Sequence, residues 1–155
     1  MVAIQDPIHG HIALTQDELS LVDEKAFQRL RNIKQLGFSE LSFPGATHTR
    51  YAHSLGAMHV AGQIVDQVFD GLDLPSEQAA LLRLSVRLSV LFHDIGHAPL
   101  SHVSEKVMPS VDTLHLPDWL ASKGRQATHE DYTLMLLTES KLTDAVSRAS
   151  SGRLS

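Results

Sequence analysis

Cysteine is absent from the 155 residues. That excludes disulfides, thiolate metal ligands and a cysteine nucleophile, and it fits a reducing compartment. A basic block is also missing: Lys and Arg number 13 against 18 Asp and Glu, for a formal net charge of −5. Nucleic acid is therefore not expected as the main partner. A small anionic substrate stays compatible, because a site can be locally positive. No run approaches the roughly 18 uninterrupted apolar residues of a membrane span. The N-terminus has neither the charged nor the apolar region of a signal peptide. These absences predict a cytoplasmic protein with no membrane partner. No internal repeat and no second-domain boundary are found. The remainder, 43% hydrophobic and 20% charged, is the composition of one ordinary globular domain with its own core.

The periodicities predict a mostly α fold with a small β element. Val2 to Leu14 reads as a strand pair around the turn Asp6-Pro7-Ile8-His9-Gly10. Thr15 to Glu18 is a capping box opening a short helix. Lys25 to Leu36 reads as an amphipathic helix stopped by Gly37, followed by a connection with a strand in Glu40 to Phe43. A long helix is expected from Arg50 to Phe69, with Leu55, Met58, Ala61, Ile64, Val65 and Val68 on its apolar face. Ser76 caps the next helix, which ends near Gly96 ahead of Pro99. Thr128 opens a last helix, and the Ser/Arg-rich stretch 147–155 is expected to be a disordered tail.

What the chain has in excess is histidine, ten in all, six of them in two short windows. The richest stretch is Leu91-Phe92-His93-Asp94-Ile95-Gly96-His97, with His53 placed 40 positions before His93. At about 100° per residue, His93, Asp94 and His97 share one side of a helix. Imidazole nitrogen and carboxylate oxygen together suit Zn, Fe and Mn. Taken singly, His93-Asp94 reads equally well as a structural pair, and His53 as a helix-surface histidine. Packing of the two helices would bring His53 to His93 and make three N/O ligands converge. His97 and His102 lie where they could donate protons, and Glu105, three residues after His102, could orient its ring. His129 opens a later helix facing an anion. Arg50, three residues before His53, suggests phosphate, because guanidinium binds phosphate oxygens bidentately.

Four segments resemble the HD-domain deoxynucleoside triphosphate triphosphohydrolases, the group that contains the SAM-and-HD-domain protein and its bacterial relatives. They are Asp6 to His11, Phe27 to Gly37, Phe43 to Gly56 and His93 to His102, with Thr128-His129-Glu130 as a shorter fifth. Order and spacing agree from Asp6 to about Tyr132, and the combination is far more specific than His-Asp alone. The resemblance implies an HD-domain helical bundle over residues 1–146. It implies His53, His93 and Asp94 as metal ligands. It implies His97, His102 and His129 at the α-phosphate, with His102 as the leaving-group acid and Glu105 as its acidic partner. Arg50 matches a phosphate-contacting arginine and Gln35 a glutamine near the sugar. Asp23, Gln28 and Arg31 match residues that hold a regulatory guanine nucleotide in some relatives, whereas Val2 stands where those relatives carry a phosphate-binding lysine. The implied cofactor is a divalent transition metal (Fe, Mn or Zn), with Mg as an additional ion. The implied substrate is a nucleoside triphosphate of the dGTP kind, and the implied assembly is a homo-oligomer.

One departure stands out. The family's fourth metal ligand is an Asp well downstream of the Thr-His-Glu segment, and after Glu130 this chain offers only Asp131 and Asp144, in no matching pattern. The expectation is a C-terminally truncated relative with weak or absent turnover. Two other readings stay open. One is a different HD phosphohydrolase, such as a nucleotidase or cyclic-nucleotide phosphodiesterase. The other is a catalytically silent nucleotide-binding or assembly module.

Overall fold

The computed structural model describes residues 2–117, 119–120 and 124–151. The chain opens with an antiparallel hairpin, β1 (Val2–Asp6) and β2 (Gly10–Leu14), in the register Val2↔Leu14 to Asp6↔Gly10. Asp6 closes its turn, the carboxylate accepting from the backbone N–H groups of Ile8 and His9. Alternation does the rest: Ile12 and Leu14 are buried while their neighbours face solvent. The expected capping box is present, Thr15 Oγ1 accepting from Glu18 N at 3.1 Å and Glu18 Oε2 accepting from Thr15 N at 2.9 Å. It starts α1 (Gln16–Val22).

Glu18 has a second role. Buried to 2% exposure, it takes Arg87 Nε at 2.6 Å and Arg87 Nη2 at 3.1 Å, and Arg87 also donates to Ala13 O. This pair ties the hairpin and α1 to α4 (Ser76–Phe92). The main core lies between α4, α3 (Arg50–Phe69) and the hairpin: Phe27 meets Tyr51 and, edge-on, Phe92, with Leu55, Met58, Leu91 and Ile95 around them. Helix α5 (His129–Thr138) and helix α6 (Lys141–Ser151) close the bundle. A smaller cluster of Val111, Leu114, Leu116 and Ala127 packs under the intervening loop. Among the described residues no helix is long and apolar enough to cross a membrane.

Several sequence expectations need correction. The helix from Lys25 stops early: α2 covers Lys25–Gln28, a 3-10 turn covers Arg29–Asn32, and Ile33 is extended. The cause is local pairing, since Ile33 O accepts from Arg50 N and His48 O accepts from Gln35 N, and Lys34 bridges Thr49. The strand expected in Glu40 to Phe43 is instead a 3-10 turn, Gly37–Leu41. On α3 the buried face runs through Tyr51, Leu55, Met58 and Val65, leaving Ile64 and Val68 exposed. Helix α4 is preceded by Pro75 at the N-cap position, so Ser76 is its first residue rather than its cap. The stretch from 147 continues as helix to Ser151, because Leu142, Ala145 and Ala149 form a small apolar stripe buried against the core. The rest of the expected tail, 152–155, lies outside the described residues.

Candidate active site

Helix α4 ends at Phe92, and a tight turn follows in which Ile95 N donates to Phe92 O and His97 N to Asp94 O. This turn aims His93, Asp94 and His97 toward the first turn of α3, which carries Arg50 and His53 and is capped by Thr49. His53 Nε2 and His93 Nε2 come to 3.3 Å. Asp94 Oδ1 lies 3.4 Å from His93 Nε2, and Asp94 Oδ2 lies 3.7 Å from His53 Nε2. Donor atoms around a tetrahedral ion at 2.0–2.1 Å stand roughly 3.4 Å apart, so this triad has the spacing of a ligand set. His93 Nδ1 pairs with Val90 O at 2.6 Å, which places the ring proton there and leaves Nε2 as the free lone pair. Burial lowers the His53 pKa, with the His93 and Arg50 charges adding to that and Asp94 opposing it. The ring is therefore neutral at neutral pH, the form that binds metal. For Asp94, burial raises the pKa, but the His97 hydrogen bond and the neighbouring His93 and Arg50 charges outweigh it and hold the carboxyl well below the usual range.

A second cluster adjoins the first. His97, 1% exposed, stacks on His129 with centroids 3.7 Å apart and rings 13° from parallel. His102 stands edge-on to both. Glu105 Oε1 pairs with His102 Nδ1 at 3.2 Å and, more closely, with His129 Nδ1. Burial raises the Glu105 pKa, but these two hydrogen bonds lower it further, so the carboxylate is ionised and fixes both rings with Nδ1 protonated. Although the three rings are close enough to be considered for an ion, the in-plane lone pairs of two stacked imidazoles run parallel and cannot converge on one. This cluster suits an anion and proton transfer, and the first suits the metal.

Both clusters line one cleft of about 500 Å³ together with Gln35, Arg50, Leu36 and Phe38. Every metal, catalytic and substrate residue expected from the sequence lies on this cleft except Glu105, which sits behind His102 and His129; Asp23, Gln28 and Arg31 do not line it. Arg50 is 2% exposed, its Nη1 donating to Asp94 Oδ2 at 2.5 Å and its Nη2 to Ser101 Oγ at 2.6 Å. The ion pair of Arg50 with Asp94 is thus buried inside the site. Neither later Asp joins the triad: Asp131 is held by Arg125 and caps α5, and Asp144 is exposed on α6.

Two contributors had no sequence signal. Arg29 donates from Nη1 to His97 O at 2.8 Å and from Nη2 to Ile95 O, holding the turn that carries the site. Nothing in its amphipathic stretch distinguishes it from Arg31. Ser101, between His97 and His102, accepts from Arg50 Nη2. Gly96 is the tightest point: a Cβ there would lie 2.0 Å from His129 O and 2.4 Å from Thr133 N, both backbone atoms. Gly96→Ala must therefore push α5 away. We expect a loss of about 3 kcal/mol, the upper end for overpacking, read by urea denaturation; a wild-type midpoint would show that α5 is not seated there.

Comparison with known proteins gives a match to the HD domain over residues 50–150. The deoxynucleoside triphosphate triphosphohydrolase SAMHD1 of Homo sapiens is 40% identical over 137 residues, covering 88% of this chain and 20% of that protein. The SAMHD1 homolog of Dictyostelium discoideum is 32% identical over 139 residues, covering 86% of this chain and 24% of that protein. Protein YwfO of Bacillus subtilis, described as uncharacterized, is 35% identical over 151 residues, covering 96% of this chain and 30% of that protein. The chain thus spans under a third of the length of these relatives.

Proposed function

The chain belongs to the HD-domain family, and we propose that it is a metal-dependent phosphohydrolase that cleaves deoxynucleoside triphosphates to deoxynucleoside and triphosphate. The observation that carries this reading is the meeting of two unlike histidine clusters in one cleft, one spaced as metal ligands and one tied to an ionised Glu105. The relatives named for deoxynucleoside triphosphate hydrolysis support the choice of substrate.

In this reading His53, His93 and Asp94 hold a divalent transition ion, Fe, Mn or Zn. When bound, such an ion polarises a phosphoryl oxygen and supplies a nucleophile at neutral pH. The remaining work falls to the protein. His129 and His97 face the α-phosphate, and Arg50, fixed beside Asp94, offsets charge that develops there. His102 is the general acid: Glu105 holds its Nδ1, leaving Nε2 to protonate the departing 5′ oxygen. Gln35 stands beside the sugar, and Leu36 and Phe38 give the cleft an apolar wall for the base. A binding module without turnover is the second reading, favoured by the engagement of Arg50 with Asp94.

The test is dGTP turnover with added Mn²⁺, with products separated by ion-exchange chromatography. Slow formation of intact tripolyphosphate with deoxyguanosine is the expected outcome, because neither Asp131 nor Asp144 adds a fourth ligand to the triad. Release of orthophosphate or pyrophosphate would favour a nucleotidase, and binding without products would favour the silent module.

A further inference from the structure

We propose that Ser101 is a positioning residue whose hydroxyl, presented by a left-handed turn, holds the Arg50 guanidinium against Asp94. Leu100 and Ser101 both have positive φ, 71° and 57°, side by side. Left-handed backbone is costly for residues with a Cβ, and a pair of them persists only where the surroundings impose it. The surroundings here are specific. Gly37, itself at φ +53°, lies against Leu100, and a Cβ on it would crowd Leu100 O at 3.1 Å. From the other side, Ser101 Oγ accepts from Arg50 Nη2 at 2.6 Å.

The consequence runs inward. Arg50 is almost fully buried, and its other terminal nitrogen donates to Asp94 Oδ2 at 2.5 Å. Besides Ser101, the only acceptor recorded for Nη2 among the described residues is Gln35 O, at a long 3.4 Å. Ser101 thus acts through Arg50 on the orientation of Asp94. The same turn delivers His102, the next residue, to the cleft. Loss of the Ser101 hydroxyl would free that nitrogen of Arg50 and loosen its hold on Asp94 Oδ2, leaving the carboxylate to its His97 contact at Oδ1. This inference rests on the reading of His53, His93 and Asp94 as metal ligands for its effect on metal, but not for the clamp itself.

The test uses the full chain, labelled with ¹⁵N-arginine, and three proteins: wild type, Ser101→Ala and Leu100→Gly. Two readouts are taken, the Arg50 side-chain N–H resonances before metal addition and the Co²⁺ dissociation constant with its visible spectrum. In wild type the Arg50 guanidinium protons should be resolved and slow to exchange. Ser101→Ala should merge them with solvent exchange and weaken Co²⁺ binding about tenfold, the lower end for a partner behind a metal ligand. Leu100→Gly removes the cost of a left-handed Leu and leaves the Ser101 hydroxyl in place, so it should keep the Arg50 resonances and the Co²⁺ affinity while holding or raising the thermal midpoint, which assigns the effect of Ser101→Ala to the hydroxyl. Unchanged Arg50 resonances in Ser101→Ala would overturn the proposal. So would loss of the Arg50 resonances in Leu100→Gly, where the hydroxyl is still present. Loss of the clamp in a protein that binds no Co²⁺ would uphold the positioning role and defeat the metal-site reading instead.

Discussion

Arg87→Ala is expected to destabilise the fold by about 3–5 kcal/mol, the usual cost of stranding one partner of a buried ion pair. Arg87 and Glu18 are 4% and 2% exposed, and their side chains join α4 to the capping box of α1 and to the hairpin. A fall in Tm of roughly 10 °C follows for a chain of this size. The pH dependence checks the cause. Burial raises the Glu18 pKa, but the Arg87 hydrogen bond, the Thr15 N–H and the Arg87 charge outweigh it, so the folded pKa lies below its ordinary value. A depressed carboxylate adds stability above its unfolded pKa of about 4.3 and loses it as pH falls through the folded value. In Arg87→Ala burial acts unopposed by that partner, the folded pKa moves up, and the sign reverses. The gap between variant and wild type should therefore narrow from pH 7 to pH 4 in urea titrations. A gap that stays constant with pH would mean that Arg87 stabilises by packing alone.

His102→Ala is expected to lower kcat for dGTP by roughly 10²–10⁴-fold, the usual worth of a general acid. Its ring is the most open of the three in its cluster, with a side chain 68% exposed, and Glu105 fixes it from behind. The metal triad is built from other residues, so metal content should stay at the wild-type level. Simultaneous loss of metal would show that His102 is a ligand rather than an acid. Turnover at the wild-type rate would remove it from the mechanism.

The sequence made some of this molecule readable and hid the rest for physical reasons. The long helices were legible because their apolar spacing is strong, and two helix starts because the Thr15–Glu18 capping box and the Thr128 N-cap are local signals. The end of α2 was not, because backbone pairing between Ile33 and Arg50 overrides an amphipathic pattern that runs on to Leu36. The last helix was masked by its Ser/Arg composition, although Leu142, Ala145 and Ala149 sit at helical spacing. In the site, the histidines and Asp94 announced themselves by type and spacing. Their partners did so only in part. Glu105 serves two rings rather than one, since His129 arrives from an element 24 positions away. Arg29 and Ser101 act through a carbonyl and a guanidinium, contacts that leave no local pattern.

Elemental analysis after loading with Mn²⁺, Fe²⁺ or Zn²⁺ measures whether His53, His93 and Asp94 hold a metal ion. Wild-type protein should retain close to one ion per chain after desalting. His93→Ala should retain essentially none, because the two ligands that remain hold an ion poorly, and circular dichroism should show that its helices persist, since His93 is half exposed and outside the core. A wild-type protein that refuses all three ions, or a His93→Ala protein that binds them as well as wild type, would contradict the account.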